Sequence, residues 1–347
     1  MEFWKTRISR LFILRVATLC DTRRDVRGVG MILDNLIFSL NATMPIFLMM
    51  VLGYFLKKIK WIDEKSTAVL NKLVFKVFLP ALLFEDLAEL DFINLWDGTF
   101  VLFCLVATVI SIIVAALLSL LDKDKFDRGE FIQASYRSGA ATLGIAFMTN
   151  IYDNAAMVAL MIIGSVPIYN IVAVLILSIT SPDNNGHNRK ALIKKTLINV
   201  VTNPIILGIV VGSVWSLFKI PQPVIFSKSV SYLAHLASPL ALIALGASFE
   251  FSDLKEKFTP ILCVIFNKLF LFCIIFLPVA IYMGYRDEKL VAALIMLGSA
   301  TTSSSYIMAK NMGHKGIISS SAVMVTTLLS SFSLTFWLFV LRTMGYI

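Results

Sequence analysis

The sequence predicts an all-α integral membrane fold: ten transmembrane helices in two inverted five-helix repeats, with helices 4 and 9 broken. Three observations carry that expectation. The 347 residues are 58% hydrophobic and 15% charged, with mean hydropathy +0.84. Soluble domains average roughly 25% charged and about 45–50% apolar residues, so a water-facing surface could not be covered. Second, at about 20 apolar residues per span the chain holds roughly ten spans, which leaves no room for a sizeable soluble domain. Third, the two halves of the sequence match each other.

Apolar runs between charged interruptions place the spans in order. Span 1, near 35–56, ends at the basic run Lys57–Lys60, and span 2 covers 66–88. Span 3, near 98–121, stops at Asp122–Arg128; spans 4 and 5 follow at 131–150 and 155–180. The polar stretch Ser181–Asn188 (SPDNNGHN) then separates the halves. Span 6 occupies 193–218, span 7 covers 228–249, and Asp253–Lys257 precedes span 8 at 258–284. Arg286–Lys289 introduces span 9 at 290–310, and span 10 covers 316–342. The expected organisation is an extension over 1–30, a first repeat over 31–180, a cytoplasmic linker over 181–192 and a second repeat over 193–347.

A shift of 159 residues lays Pro45 on Pro204, Gly53 on Gly212, Pro80 on Pro239 and Gly139 on Gly298. Matching apolar letters are cheap in such a composition, but prolines number only ten. Five spans per half is an odd number, so the second half enters the membrane from the opposite side. Inverted repeats of this kind are the architecture of secondary transporters, with substrate near the midplane. Loops after odd-numbered spans hold 15 Lys and Arg against 5 on the opposite side. The excess places those loops in the cytoplasm and both ends of the core outside. Residues 1–30 carry seven arginines and lysines on the wrong side for this rule. Either they form a basic amphipathic surface helix or Met31 is the native start; the charge rule favours Met31.

Spans 4 and 9 are unusual for membrane helices. One reads Ser135-Tyr-Arg-Ser-Gly-Ala-Ala-Thr-Leu-Gly-Ile-Ala146, the other Gly298-Ser-Ala-Thr-Thr-Ser-Ser-Ser-Tyr306. Glycine and consecutive hydroxyls weaken a helix, and a break at membrane depth is tolerated only inside protein or along a cavity. Broken helices at equivalent places in two halves point to a transporter's binding site. The candidate substrate residues are therefore Arg137, Ser138, Gly139, Thr142, Gly144, Ser299, Thr301, Thr302, Ser303, Ser304 and Ser305. Close packing of small residues is the bland alternative for any one of them. Arg137 suits bidentate carboxylate recognition, or else pairs with Glu130 or lipid phosphate. Lys76, Asp86 and His235 are candidates for coupling or gating, because charges within spans are costly. Pro80 and Pro239 are candidate hinges, and Asn267–Lys268 in span 8 could face the core.

Several classes are disfavoured. HExxH, GxSxG and the P-loop lysine motif are all missing, so no enzyme is expected. The four cysteines form no CxxC pair, and neither metal nor cofactor is implied. The net charge of +9 is explained by basic membrane-flanking loops rather than by nucleic acid.

Four stretches carry a resemblance: Val69–Phe92 (VLNKLVFKVFLPALLFEDLAELDF), Asn203–Gly212 (NPIILGIVVG), Ser238–Phe249 (SPLALIALGASF) and Ser305–Met312 (SYIMAKNM). They resemble the auxin efflux carrier family, in particular its bacterial malate and malonate permease-like members. The likeness runs from about Met31 to the C-terminus. It implies a bile-acid-symporter-like fold with spans 1, 2, 6 and 7 as scaffold. Spans 3–5 and 8–10 would form a transport domain in which spans 4 and 9 cross. The sequence departs from the family at the crossover: Gly139 stands in place of an Asn, and Ala146 and Ser305 in place of prolines. Glycine and serine still supply a backbone break.

The expected function is elevator-type secondary transport of a small organic anion across a bacterial plasma membrane. Expected partners are the anion, the lipid bilayer and a second copy through the scaffold. The alternative is a membrane sensor or scaffold that binds a ligand without moving it.

Overall fold

The computed structural model describes residues 23–88, 97–121, 124–125, 127–140, 147–148, 151–152, 156–181, 198, 201–250 and 257–347. The protein is all-helical over these residues. Helix α1 spans Arg23–Lys58 and α2 spans Glu64–Ala88. Helix α3 (Gly98–Ser119), α4 (Arg128–Tyr136) and α5 (Ala156–Thr180) follow. Then come α6 (Pro204–Leu217), α7 (Val224–Ser248) and α8 (Phe258–Tyr282). The last three are α9 (Asp287–Gly298), α10 (Ser304–Asn311) and α11 (Ile317–Thr343). Among the described residues, six are long and apolar enough to cross a membrane: α2, α3, α5, α7, α8 and α11. Spans 4 and 9 do not form single long helices because each is interrupted. Residues 1–22 and 182–192 lie outside the described residues, as do Thr142 and Gly144.

Polar caps set several starts. Asp63 accepts the Ser66 amide at 2.7 Å ahead of α2, and Asp97 accepts those of Thr99 and Phe100 at 3.1 Å ahead of α3. Asn203 caps α6 with Pro204 in the first position, where a missing N–H does no harm. Neither hinge candidate breaks its helix. Pro239 lies inside α7. Pro80 follows a π-turn over Val74–Phe78, whose last bond runs from the Leu79 amide to Val74 O.

Beside an apolar core, two helices bury hydroxyls while exposing large apolar side chains. In α11 Ser319, Ser321, Thr326, Thr327, Ser330 and Ser331 are buried, while Leu329, Phe332 and Phe336 are exposed. Several of these hydroxyls return to their own helix: Thr326 Oγ1 donates to Ala322 O and Thr327 Oγ1 to Val323 O, both at 2.6 Å. Helix α3 likewise buries Thr108 and Ser111 and exposes Leu102, Ile113 and Leu117. Small polar residues inside and large apolar ones outside are what a bilayer environment selects.

Two helix pairs come together through glycine. A Cβ on Gly53 of α1 would fall 2.1 Å from Ile243 O of α7, and one on Gly212 of α6 would fall 2.8 Å from Phe84 O of α2. Adding 159 to 53 and to 84 gives 212 and 243, so one contact maps onto the other. The starts of α2, α3, α4 and α5 plus 159 likewise fall within two residues of those of α7, α8, α9 and α11.

Candidate functional site

Helix α4 ends at Arg137, whose backbone is extended (φ −72°, ψ 134°), and α9 ends at Ser299 in the same way (φ −75°, ψ 165°). The two interruptions meet. The Gly139 amide donates to Ala300 O at 2.9 Å, and the hydroxyls of Ser138 and Ser299 hydrogen-bond to each other. A Cβ on Gly139 would come within 3.5 Å of that same Ala300 oxygen. Thr301 ties the junction down on both sides. Its amide donates to Thr326 Oγ1 at 3.0 Å and its hydroxyl to Ala134 O at 2.8 Å. The Gly139 and Thr301 amides freed by the breaks are thus met by protein, as membrane depth demands.

Arg137 is 1% exposed, beside this junction. One terminal nitrogen donates to Asn170 Oδ1 at 2.8 Å and Ser304 Oγ at 2.7 Å. The other reaches Gln133 Oε1 at 3.3 Å and the Met308 thioether at 2.7 Å. Its Cζ lies 5.4 Å from the centre of the Tyr169 ring. These partners are neutral, and its Nε–H meets no hydrogen-bond acceptor among the described residues. Glu130, the alternative partner, caps α11 instead, accepting the amides of Gly316 at 2.6 Å and Ser319 at 3.1 Å.

A cavity of about 60 Å³ lies against the guanidinium. One wall is mostly polar: Arg137, Ser138 and Gly139, Val166, Tyr169 and Asn170 of α5, and Thr302, Ser303 and Ser304. The facing wall is Leu79, Leu82, Leu83 and Asp86 of α2, with Ile205 of α6 and Ser238 of α7. Ligand pockets start at roughly 300 Å³, so these walls are closed against each other. A wider cavity of about 460 Å³ opens next to the C-terminal part of α10, lined by Lys57, Lys310, Lys315, Glu64, Glu250, Asn71 and Tyr306. Helix α10 therefore starts beside the small cavity at Ser304 and borders the large one with Tyr306 and Lys310.

The expected site residues divide. Arg137, Ser138, Gly139, Thr302, Ser303, Ser304 and Asp86 line the small cavity. Ser299, Thr301 and Ser305 are buried but do not line it. Lys76 and His235 are exposed on α2 and α7; the His235 ring bonds within its own helix, to Ser231 O at 2.7 Å. Sequence reasoning missed Asn170 and Tyr169. An asparagine within the apolar run of span 5 was a legible signal, since buried amides need partners.

The chain belongs to the family described as membrane transport proteins, the auxin efflux carrier-like group, whose profile matches residues 38–338. It is 21% identical over 309 residues to a Methanothermobacter thermautotrophicus protein named "Uncharacterized transporter", covering 87% of this chain and 98% of that one. It is 24% identical over 319 residues to a Rhizobium meliloti protein named "Putative malonate transporter", covering 86% and 95%. Among solved structures it is similar to the sodium proton antiporter MjNhaP1 of Methanocaldococcus jannaschii. That match has a TM-score of 0.58 at 14% identity and covers 88% of this chain and 99% of that chain.

Proposed function

We propose that this membrane transport protein is a secondary transporter for a small organic anion, a mono- or dicarboxylate of the malonate or malate type. The observation that carries the reading is Arg137: a buried guanidinium held by neutral side chains, its Nε–H unused, beside two interrupted helices. A planar fork with spare donors recognises a carboxylate bidentately. Around it, the hydroxyls of Ser138, Thr302, Ser303 and Ser304 add donors. The Rhizobium relative's name agrees with this class of substrate.

The movement we propose is an elevator-like shift within two inverted repeats. Helices α1, α2, α6 and α7 form the scaffold, and α3–α5 with α8–α11 form the moving part. The matched glycine contacts support the repeat, and the cavity's two walls support the division. One wall carries most of the polar groups and the other is largely apolar, so a bound anion would travel with the polar side.

Uptake of labelled malonate, malate and amino acids into proteoliposomes tests the proposal, with Arg137→Ala as comparison. We expect carboxylate flux in the wild type and its loss in the variant. Undiminished carboxylate flux in a folded Arg137→Ala protein, or flux of amino acids alone, would sink it.

A further inference from the structure

Lys268 is a second cation buried at membrane depth, and the small cavity does not account for it. It sits in a π-turn, Asn267–Leu271, midway along α8, and is 0% exposed. Its Nζ donates to Leu297 O at 3.1 Å and Met296 O at 3.3 Å. Those carbonyls belong to the last turn of α9, which stops at Ser299 and so leaves them without intrahelical partners. A helix C-terminus carries about half a negative charge, and here it faces a fully buried side chain. The neighbouring Asn267 reaches Ser135 Oγ in the last turn of α4, with its Nδ2 at 3.4 Å. One widened turn therefore holds the ends of both interrupted helices. From the α11 side, Trp337 Nε1 donates to Leu269 O in that same turn at 3.0 Å. π-bulges of this kind concentrate at functional sites.

In transporters built from discontinuous helices, half-helix C-terminal ends and unwound carbonyls are the usual coordinators of a coupling cation. Here two such carbonyls are already bonded to an ammonium. We propose that Lys268 is a built-in cation for the α9 end, standing where a coupling metal ion would bind, so that anion movement requires no sodium or other monovalent metal ion. Lys268 is a positioning residue: it fixes the end of α9, and through it Ser299 and the junction with Ser138. This inference rests on the transport reading for its consequence, but not for its chemistry.

Two measurements separate the two. The purified full chain is unfolded thermally in sodium, lithium, potassium or N-methyl-D-glucamine chloride at equal ionic strength. Wild-type midpoints should coincide, whereas Lys268→Ser, which uncovers the carbonyls, should gain a saturable shift with a small metal cation. A saturable shift in the wild type, or indifference in Lys268→Ser, overturns the proposal. In proteoliposomes, wild-type carboxylate flux should be equal in sodium and N-methyl-D-glucamine. Lys268→Met should lower flux by about tenfold or more in every salt, the factor expected for one buried polar partner lost. Lys268→Arg should recover part of it. A Lys268→Met protein moving carboxylate at the wild-type rate overturns the proposal, as does sodium-dependent wild-type flux. Should Lys268→Met not fold, the thermal comparison and the wild-type salt series decide. If the wild type moves no carboxylate in any salt, the transport reading fails while the thermal arm still judges the lysine.

Discussion

Arg137 is stable in the interior only because every strong contact it makes is polar, and none of those contacts is a carboxylate. A buried ion with neutral partners keeps its field, and the cavity beside it is where that field is felt. Asn170 sharpens the point. Its Oδ1 accepts from the guanidinium at 2.8 Å while its Nδ2 donates to Val166 O at 2.9 Å, so the amide is used at both ends. Asn170→Asp would put a fixed carboxylate in the place of that neutral oxygen. The variant should fold, because it creates a pair, yet its KM for carboxylate should rise roughly ten- to a hundredfold, as about 1.4–2.7 kcal/mol of lost anion binding implies. Transport assays against substrate concentration would show it; an unchanged KM would mean that Arg137 is structural.

At the level of elements, three ion pairs in two clusters tie the starts of helices from different halves. Asp97, capping α3, pairs with Lys289 in the first turn of α9, and Lys257, just ahead of α8, pairs with Asp127 and Asp124 ahead of α4. In both clusters the first half supplies the carboxylates and the second half the lysine. The Lys289 ammonium and the Thr99 hydroxyl hold the Asp97 carboxyl well below the ordinary carboxylate range, and Asp127 first, then Asp124, raise Lys257. The consequences have opposite sign. The Asp97 contribution is present above the unfolded pKa of about 3.9 and is lost as pH falls through the lower folded value. That of Lys257 is present below about 10.4 and is lost as pH rises through its folded value. Thermal unfolding of Asp97→Asn should therefore lie below wild type at neutral pH, with the gap closing once pH falls below about 4. A gap that kept its neutral-pH size in acid would mean that the ion pair does not carry it, since asparagine caps a helix as well as aspartate does.

These helices were legible in the sequence because charge and apolar runs mark depth in a bilayer, and the junction was legible because glycine and hydroxyl runs mark breaks. Direction around a helix was not. The shift that equates Lys76 with His235 says they occupy equivalent positions, and they do share a character, but the shared character is an outward face. Asn170 and the pair Asn267–Lys268 each interrupt an apolar run, and so few polar letters name no partner until packing supplies one.

For the whole molecule, α11 of the proposed moving part packs along α1 nearly as closely as α7 does, and what marks off the proposed scaffold is its glycine contacts. Within it, backbones touch at Gly53, Gly208, Gly212 and Gly246, where added side chains would collide with main-chain atoms. Across the boundary the links named here are side-chain hydrogen bonds. Asn71 Nδ2 donates to Tyr306 Oη at 3.5 Å, Asn311 Nδ2 to Asn71 O at 3.2 Å, and the hydroxyls of Thr43 and Ser331 pair. Such links can be exchanged as one group of helices slides past the other, whereas interlocked backbones cannot slide without opening. A covalent bond across the boundary should then stop transport without unfolding the protein. Asn71→Cys with Asn311→Cys joins α2 to α10 beside the larger cavity, and either substitution alone serves as control. Oxidation should abolish carboxylate flux in the double variant, reduction should restore it, and the single variants should be indifferent. Flux that survived complete cross-linking would mean that α10 stays fixed on α2, and that anions cross by some route other than movement of the crossover helices.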